Sequence, residues 1–149
     1  MIHIETPLET QPVATELIER AAAAVLKLQS VPGDLSIVLT NDRQLRQLNR
    51  DYLGFDTTTD VLSFPASELD PETGASYLGD VLVSIPRAEK QAQTAGHPLE
   101  AEVQLLVVHG VLHLIGYDHA TPSEKEKMWA AQAQVLESIG LAGIKIGES

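Results

Sequence analysis

The segment from Val103 to Ile115 constrains the fold more than any other. Its only polar side chains are Gln104, His109 and His113. Pro98 opens the helix that leads into it, and Glu100 and Glu102 fall in the first turn, where negative charge suits the helix dipole. Gly116 ends it. A helix that is apolar nearly all round has no face to offer water, so the rest of the chain must pack around it. It is too short to cross a membrane, which takes roughly 18 or more consecutive apolar residues.

The remaining segments supply the wrapping. Met1–Glu5 reads as a short strand with Ile2 and Ile4 on one face. Pro12 opens a helix to about Ser30, with Val13, Leu17, Ala21, Val25 and Leu28 as its apolar stripe. Pro32-Gly33 breaks the chain, and Ser36–Thr40 is a β-branched strand. Asn41 or Asp42 caps a helix through about Tyr52, with Arg43, Arg46 and Arg50 on a face of their own. Val61–Phe64 reads as a strand stopped by Pro65, and Ala66–Ser76 as an acidic turn. Tyr77–Ile85 is a longer strand with Val81, Val83 and Ile85 alternating. Pro86 opens a helix ended by Gly96. Thr121-Pro122-Ser123-Glu124 is a capping box that starts the last helix, which runs to about Ile139. The expectation is one α/β (α+β) domain over 1–149: a four-stranded mixed sheet, a buried central helix, and further helices packed on the sheet. A chain of 149 residues fits a single domain of that kind.

The chemistry concentrates at the end of the central helix, in His109-Gly-Val-Leu-His113-Leu-Ile-Gly116-Tyr-Asp118-His119. Residues i and i+4 of a helix share a face, so two imidazoles can point at one ion. Gly116 can turn the chain in the left-handed conformation and bring His119 back to the same point. Three nitrogen ligands with one open position is the catalytic zinc pattern, in which a water of pKa about 7 completes the set. The chain contains no cysteine, so histidine and carboxylate are the strong ligands available to it. A lone histidine in an apolar helix is usually a core residue bonded to a neighbour. Three at this spacing favour a shared cation, because burying two imidazoles without a common partner is costly. Asp118 is either an acceptor for a histidine N–H or a turn residue, and it is the candidate for moving a proton. His3 and His97 read as surface residues. The spacing also coincides with that of the metzincin proteases, which carry a glutamate base where this chain has Gly110. Without that base, peptide cleavage is disfavoured.

Net charge is −11, which by itself argues against a generic nucleic-acid binder. The excess is local. Residues 51–80 contain seven acids and no base, whereas the remainder is close to balanced.

His109–His119, taken with Thr59-Asp60-Val-Leu-Ser-Phe-Pro65 and Leu78-Gly79-Asp80, resembles the YbeY family. The resemblance runs from about Leu48 to Trp129. It implies a metal-dependent, single-strand-specific endoribonuclease acting in ribosomal RNA maturation of the 16S type and in ribosome quality control, in a cytoplasmic setting. It implies one zinc ion on His109, His113 and His119, and ribosomal RNA, the ribosome or a small-subunit precursor as partner. Many members have arginine at the position of Leu53, so any cation there must come from elsewhere, such as Arg50 or Arg46.

On this reading Arg43, Arg46 and Arg50 could hold phosphates, although a solvated helix face explains them too. Ser63 and Thr59 could orient substrate, and Phe64 and Tyr77 could stack on bases. A second reading is a ribosome-assembly factor with a structural metal, meeting a basic ribosomal protein through the acidic 51–80 region. A third is a zinc hydrolase of another substrate. No segment suggests a membrane anchor.

Overall fold

The computed structural model describes residues 2–6, 13–54, 59–69 and 76–144. Along the chain these form β1 (Ile2–Glu5), α1 (Thr15–Leu28), β2 (Asp34–Thr40), α2 (Asp42–Leu48), a single π-helical turn (Asn49–Leu53), β3 (Val61–Leu69), β4 (Ser76–Ser84), α3 (Ile85–Ala95), α4 (Leu99–Leu114) and α5 (Pro122–Ser138). The strands make one mixed sheet in the order β1-β2-β4-β3. β1, β2 and β4 run parallel, and β3 pairs antiparallel with β4. This is the expected α/β domain with a four-stranded mixed sheet.

α4 occupies the centre, as its composition requires. From Ala101 to Leu114 only His113 is more than marginally exposed. Leu105, Leu106 and Leu112 are fully buried, and each contributes roughly 1.5–3 kcal/mol relative to exposure. One sheet face, carrying Leu35, Ile37, Leu39, Val81 and Val83, packs against α1 and α4. The other face is covered only in part: Leu45 of α2 closes over Leu62 and Leu82, with Val38, Leu48 and Phe64 at the margin. Successive strand residues point to opposite faces, so α4 and α2 lie on opposite sides of the sheet.

Several local expectations change. Pro65 does not stop β3; it pairs opposite Gly79, and the strand continues to Leu69 beyond a register shift. β3 is an edge strand, and an edge tolerates a missing N–H on its open side. Ala66–Leu69 is therefore strand rather than turn, while residues 70–75 of the acidic loop lie outside the described residues. Asn41 is the cap of α2, its side chain accepting from the Gln44 N–H at 2.9 Å. The helix then changes to π geometry before Tyr52. α1 begins at Thr15, after Ala14 in extended conformation, and Pro12 lies outside the described residues. Its buried face is Ile18, Ala21, Ala22 and Val25, and Leu28 is exposed. Thr121 caps α5 by accepting from the Glu124 N–H at 3.1 Å.

Candidate metal centre

His109 and His113 lie one turn apart on α4, near its end. Gly116 then takes a φ of 108°, which a side chain would resist, and redirects the chain. Tyr117 anchors the turn by donating its hydroxyl proton to Gln29 Oε1 at 2.7 Å. Two residues on, His119 returns to the helix end. Each histidine offers a ring nitrogen, and the three nitrogens all lie within 4.8 Å of one another. His109 Nε2 and His113 Nε2 are 3.2 Å apart. Burial is graded: His109 is buried, His113 half-buried and His119 exposed. The cluster is thus rooted in the core and open on one side.

Electrostatics favour the neutral, ligating form. Burial, and then the neighbouring His113, lower the His109 pKa from its ordinary 6.5 to about 4. Burial, and then His119, lower that of His113. At neutral pH both imidazoles are uncharged, with one lone pair each to offer. Converging lone pairs without enough donors to satisfy them call for a cation, and nitrogen donors of this kind suit zinc. The residues present fit such an ion.

α5 forms the far wall. Gln132 Oε1 lies 3.0 Å from His109 Nδ1. The Trp129 ring stands edge-on to His109 and His119, at 5.8 and 5.6 Å between centroids. Lys125 Nζ lies over the Trp129 ring at 5.4 Å. The sequence reading missed Gln132 and Trp129. The signal available was positional: Gln132 falls on the stripe of Met128, Ala131, Val135 and Leu136, where every other member is apolar and buried.

Gly110 has a structural reason to be glycine. A Cβ there would sit 2.5 Å from Val81 Cγ1 and 3.2 Å from Val61 Cγ2. Ser63 donates its hydroxyl proton to the Gly110 carbonyl at 2.8 Å, fixing β3 to α4. A glutamate base at this position would be driven into the sheet, so the peptidase arrangement is sterically barred as well as absent.

The other candidates divide. The Asp118 carboxylate accepts from the His119 backbone N–H at 2.7 Å, a turn contact, and its charge opposes the lowering of the His113 pKa. Ser63 is committed to Gly110. The Tyr77 hydroxyl donates to the Asp80 carboxylate, and its oxygen accepts from the Ser36 hydroxyl at 2.9 Å. Phe64 meets the edge of Tyr52, a largely exposed ring. Arg43, Arg46 and Arg50 are exposed, and Arg50 pairs with Asp51 at 3.2 Å. They belong to α2 and the π turn, on the opposite side of the sheet from the histidines. His97 is not a surface residue: its side chain is 15% exposed and faces the buried Glu102 at 3.5 Å. Nothing is described of the Leu53 side chain. No helix among the described residues is long and apolar enough to cross a membrane.

Known proteins match this arrangement along its length. A family model described as "Endoribonuclease YbeY" matches residues 3–140. Endoribonuclease YbeY of Brevibacillus brevis is 42% identical over 137 residues, covering 84% of this chain and 86% of that protein. Endoribonuclease YbeY of Halalkalibacterium halodurans is 40% identical over 147 residues, covering 93% and 92%. The solution structure of TM1509 from Thermotoga maritima superposes with a TM-score of 0.58 at 25% identity, over the whole of both chains. Similarity of this extent, in sequence and in fold, means that the chain belongs to the YbeY endoribonuclease family.

Proposed function

We propose that the protein is a zinc-dependent endoribonuclease that cuts single-stranded RNA in late ribosomal RNA processing and ribosome quality control. His109, His113 and His119 are the metal ligands. The observation that carries this reading is the convergence of three ring nitrogens within 4.8 Å, rooted in the core and open on one side. Family membership supplies the substrate class. When bound, zinc supplies a Lewis acid for a phosphate oxygen and eases ionisation of the attacking water.

The chain's own residues do the rest. His109 and His113 stay uncharged at neutral pH and keep their lone pairs available. Trp129 walls the cluster on the α5 side. Asp118, exposed beside His119, is the candidate to take up or deliver a proton at its free carboxylate lone pairs. Arg46 and Arg50 hold backbone phosphates at a distance from the reaction. Because they lie across the sheet from α4, a strand touching both must bend. A flexible single strand can do this and a stiff duplex cannot, which supports single-strand specificity. Steric exclusion of a base at Gly110 speaks against peptides as substrate.

The test is a side-by-side assay of purified protein on single-stranded RNA, the matching duplex and casein, with and without stoichiometric zinc. Zinc-dependent cleavage of the single strand alone is expected. Casein cleavage, or equal RNA cleavage after chelation, would overturn the reading. Leu53→Arg should increase the RNA rate; an unchanged rate would mean that this position takes no part in cleavage.

A further inference from the structure

We propose that Gln132 is the positioning residue of the histidine cluster: it fixes the His109 tautomer that presents Nε2 to the cation. As an uncharged amide, it does so without adding negative charge to the site. This inference rests on the metal reading above.

Gln132 is 3% exposed, and its companions on the buried face of α5 are Met128, Ala131, Val135 and Leu136. Burying a primary amide among them costs stability unless it is hydrogen-bonded, whereas leucine would fill similar space at no such cost. Gln104, the other buried glutamine among the described residues, has a structural explanation in its bonds to Arg20 and the Glu100 carbonyl. The partner of Gln132 is His109 Nδ1, at 3.0 Å.

That contact determines where the His109 proton resides. Oε1 can only accept, so Nδ1 carries the hydrogen and Nε2 carries the lone pair. Nε2 is the nitrogen that faces His113 Nε2 at 3.2 Å. With the amide reversed, its NH2 would donate to Nδ1. The imidazole proton would then sit on Nε2, point at the His113 nitrogen and bar a shared cation. The orientation of one amide thus decides whether two ring nitrogens can serve one ion.

The choice of amide over carboxylate has a chemical consequence. Metal-bound histidines commonly donate their second N–H to a carboxylate, a backbone carbonyl or water, and the acceptor tunes ligand basicity. A carboxylate pulls the Nδ1 proton harder, strengthens the nitrogen as a donor and quenches more of the ion's charge. The amide leaves the ion a stronger Lewis acid and holds it less tightly. Replacing Gln132 should therefore move metal affinity in opposite directions for two side chains of nearly equal size.

The experiment uses the full chain, with zinc competed against a chelator. Trp129 is the chain's only tryptophan and lies within 6 Å of two ligand rings, so its emission reports loading. Gln132→Leu should weaken zinc binding by about 10–100-fold. Gln132→Glu should hold zinc more tightly than wild type. Imidazole nitrogen NMR of the metal-free protein should find His109 with its proton on Nδ1 in wild type, and a mixed tautomer in Gln132→Leu. A purely structural glutamine would leave the tautomer alone. Equal zinc affinity in wild type and Gln132→Leu, or a wild-type proton on Nε2, would overturn the role of Gln132 alone. Wild type that binds no zinc would overturn the metal reading, and this inference with it.

Discussion

α4 buries polar groups at both ends, and the two ends solve the problem differently. Near the start, Glu102 is 2% exposed and faces His97, while Gln104 bonds Arg20 and the Glu100 carbonyl. Acid meets base and donor meets acceptor, so the chain contains its own complement. Near the other end, His109 and His113 meet each other and His119. These are groups of one kind, and nothing among the three rings completes them. Glu102 Oε2 and His97 Nε2 are nonetheless left without hydrogen bonds, a structural imperfection within a self-complementary pair. The histidine cluster is well supported by Gln132 and Trp129 yet chemically incomplete. Incompleteness held in place by well-packed neighbours is what a binding site requires, and a loose internal pair does not provide it.

The largest effect on stability expected at either end comes from His97→Ala, which would leave a buried carboxylate without its partner. Stability should fall by about 1–3 kcal/mol at neutral pH, measured by urea denaturation, with zinc content unchanged. Gly110→Ala should cost a similar or slightly smaller amount, about 1–2 kcal/mol, because the new methyl collides with Val81. It should also loosen zinc, since Gly110 sets the approach of the histidine-bearing turn to the sheet. If Gly110→Ala folded with unchanged stability, the close helix–sheet contact would be wrong.

The pH response should separate the ends by sign. Burial holds His109 at a pKa of about 4, against 6.5 ordinarily. Between those values the unfolded chain binds the extra proton, so metal-free protein should lose stability as pH falls from 6.5 toward 4. Glu102 behaves in the opposite sense. Burial raises its carboxyl above the ordinary 4.5, so the folded chain binds the extra proton. Its contribution is complete below that ordinary value and is lost as pH rises through the folded one. Glu102→Gln should therefore remove the loss on the alkaline side and leave the acid side intact, as read from urea midpoints across pH.

The smallest effect belongs to neither end. Arg46→Ala with Arg50→Ala should weaken single-strand RNA binding evenly across sequences and reduce the salt slope by about 1.4, roughly 0.7 for each phosphate contact on a single strand, with zinc retained. An unchanged slope would assign the stripe to solvent.

How much of this the sequence disclosed follows from the range of each interaction. The central helix and the histidine triad were legible because both are local patterns, set by helical spacing and one glycine turn. The alternation in β4 and the caps at Asn41 and Thr121 are local too. Pro65 misled because its effect depends on whether β3 lies at an edge, and strand order is a property of the whole sheet. The π turn at Asn49–Leu53 keeps helix-like spacing and leaves no mark in periodicity. His97 looked exposed until α3 and α4 packed and brought Glu102 to it. Gln132 reaches His109 across 23 residues and two helices, so only the tertiary fold pairs them.

The central claim is that His109, His113 and His119 together hold the metal that cuts RNA. Elemental analysis of dialysed wild type and His113→Ala, with single-stranded RNA cleavage measured on the same preparations, tests it most directly. The account predicts stoichiometric zinc and cleavage in wild type, and neither in a folded His113→Ala. Equal zinc, or equal cleavage, in the two proteins would contradict it.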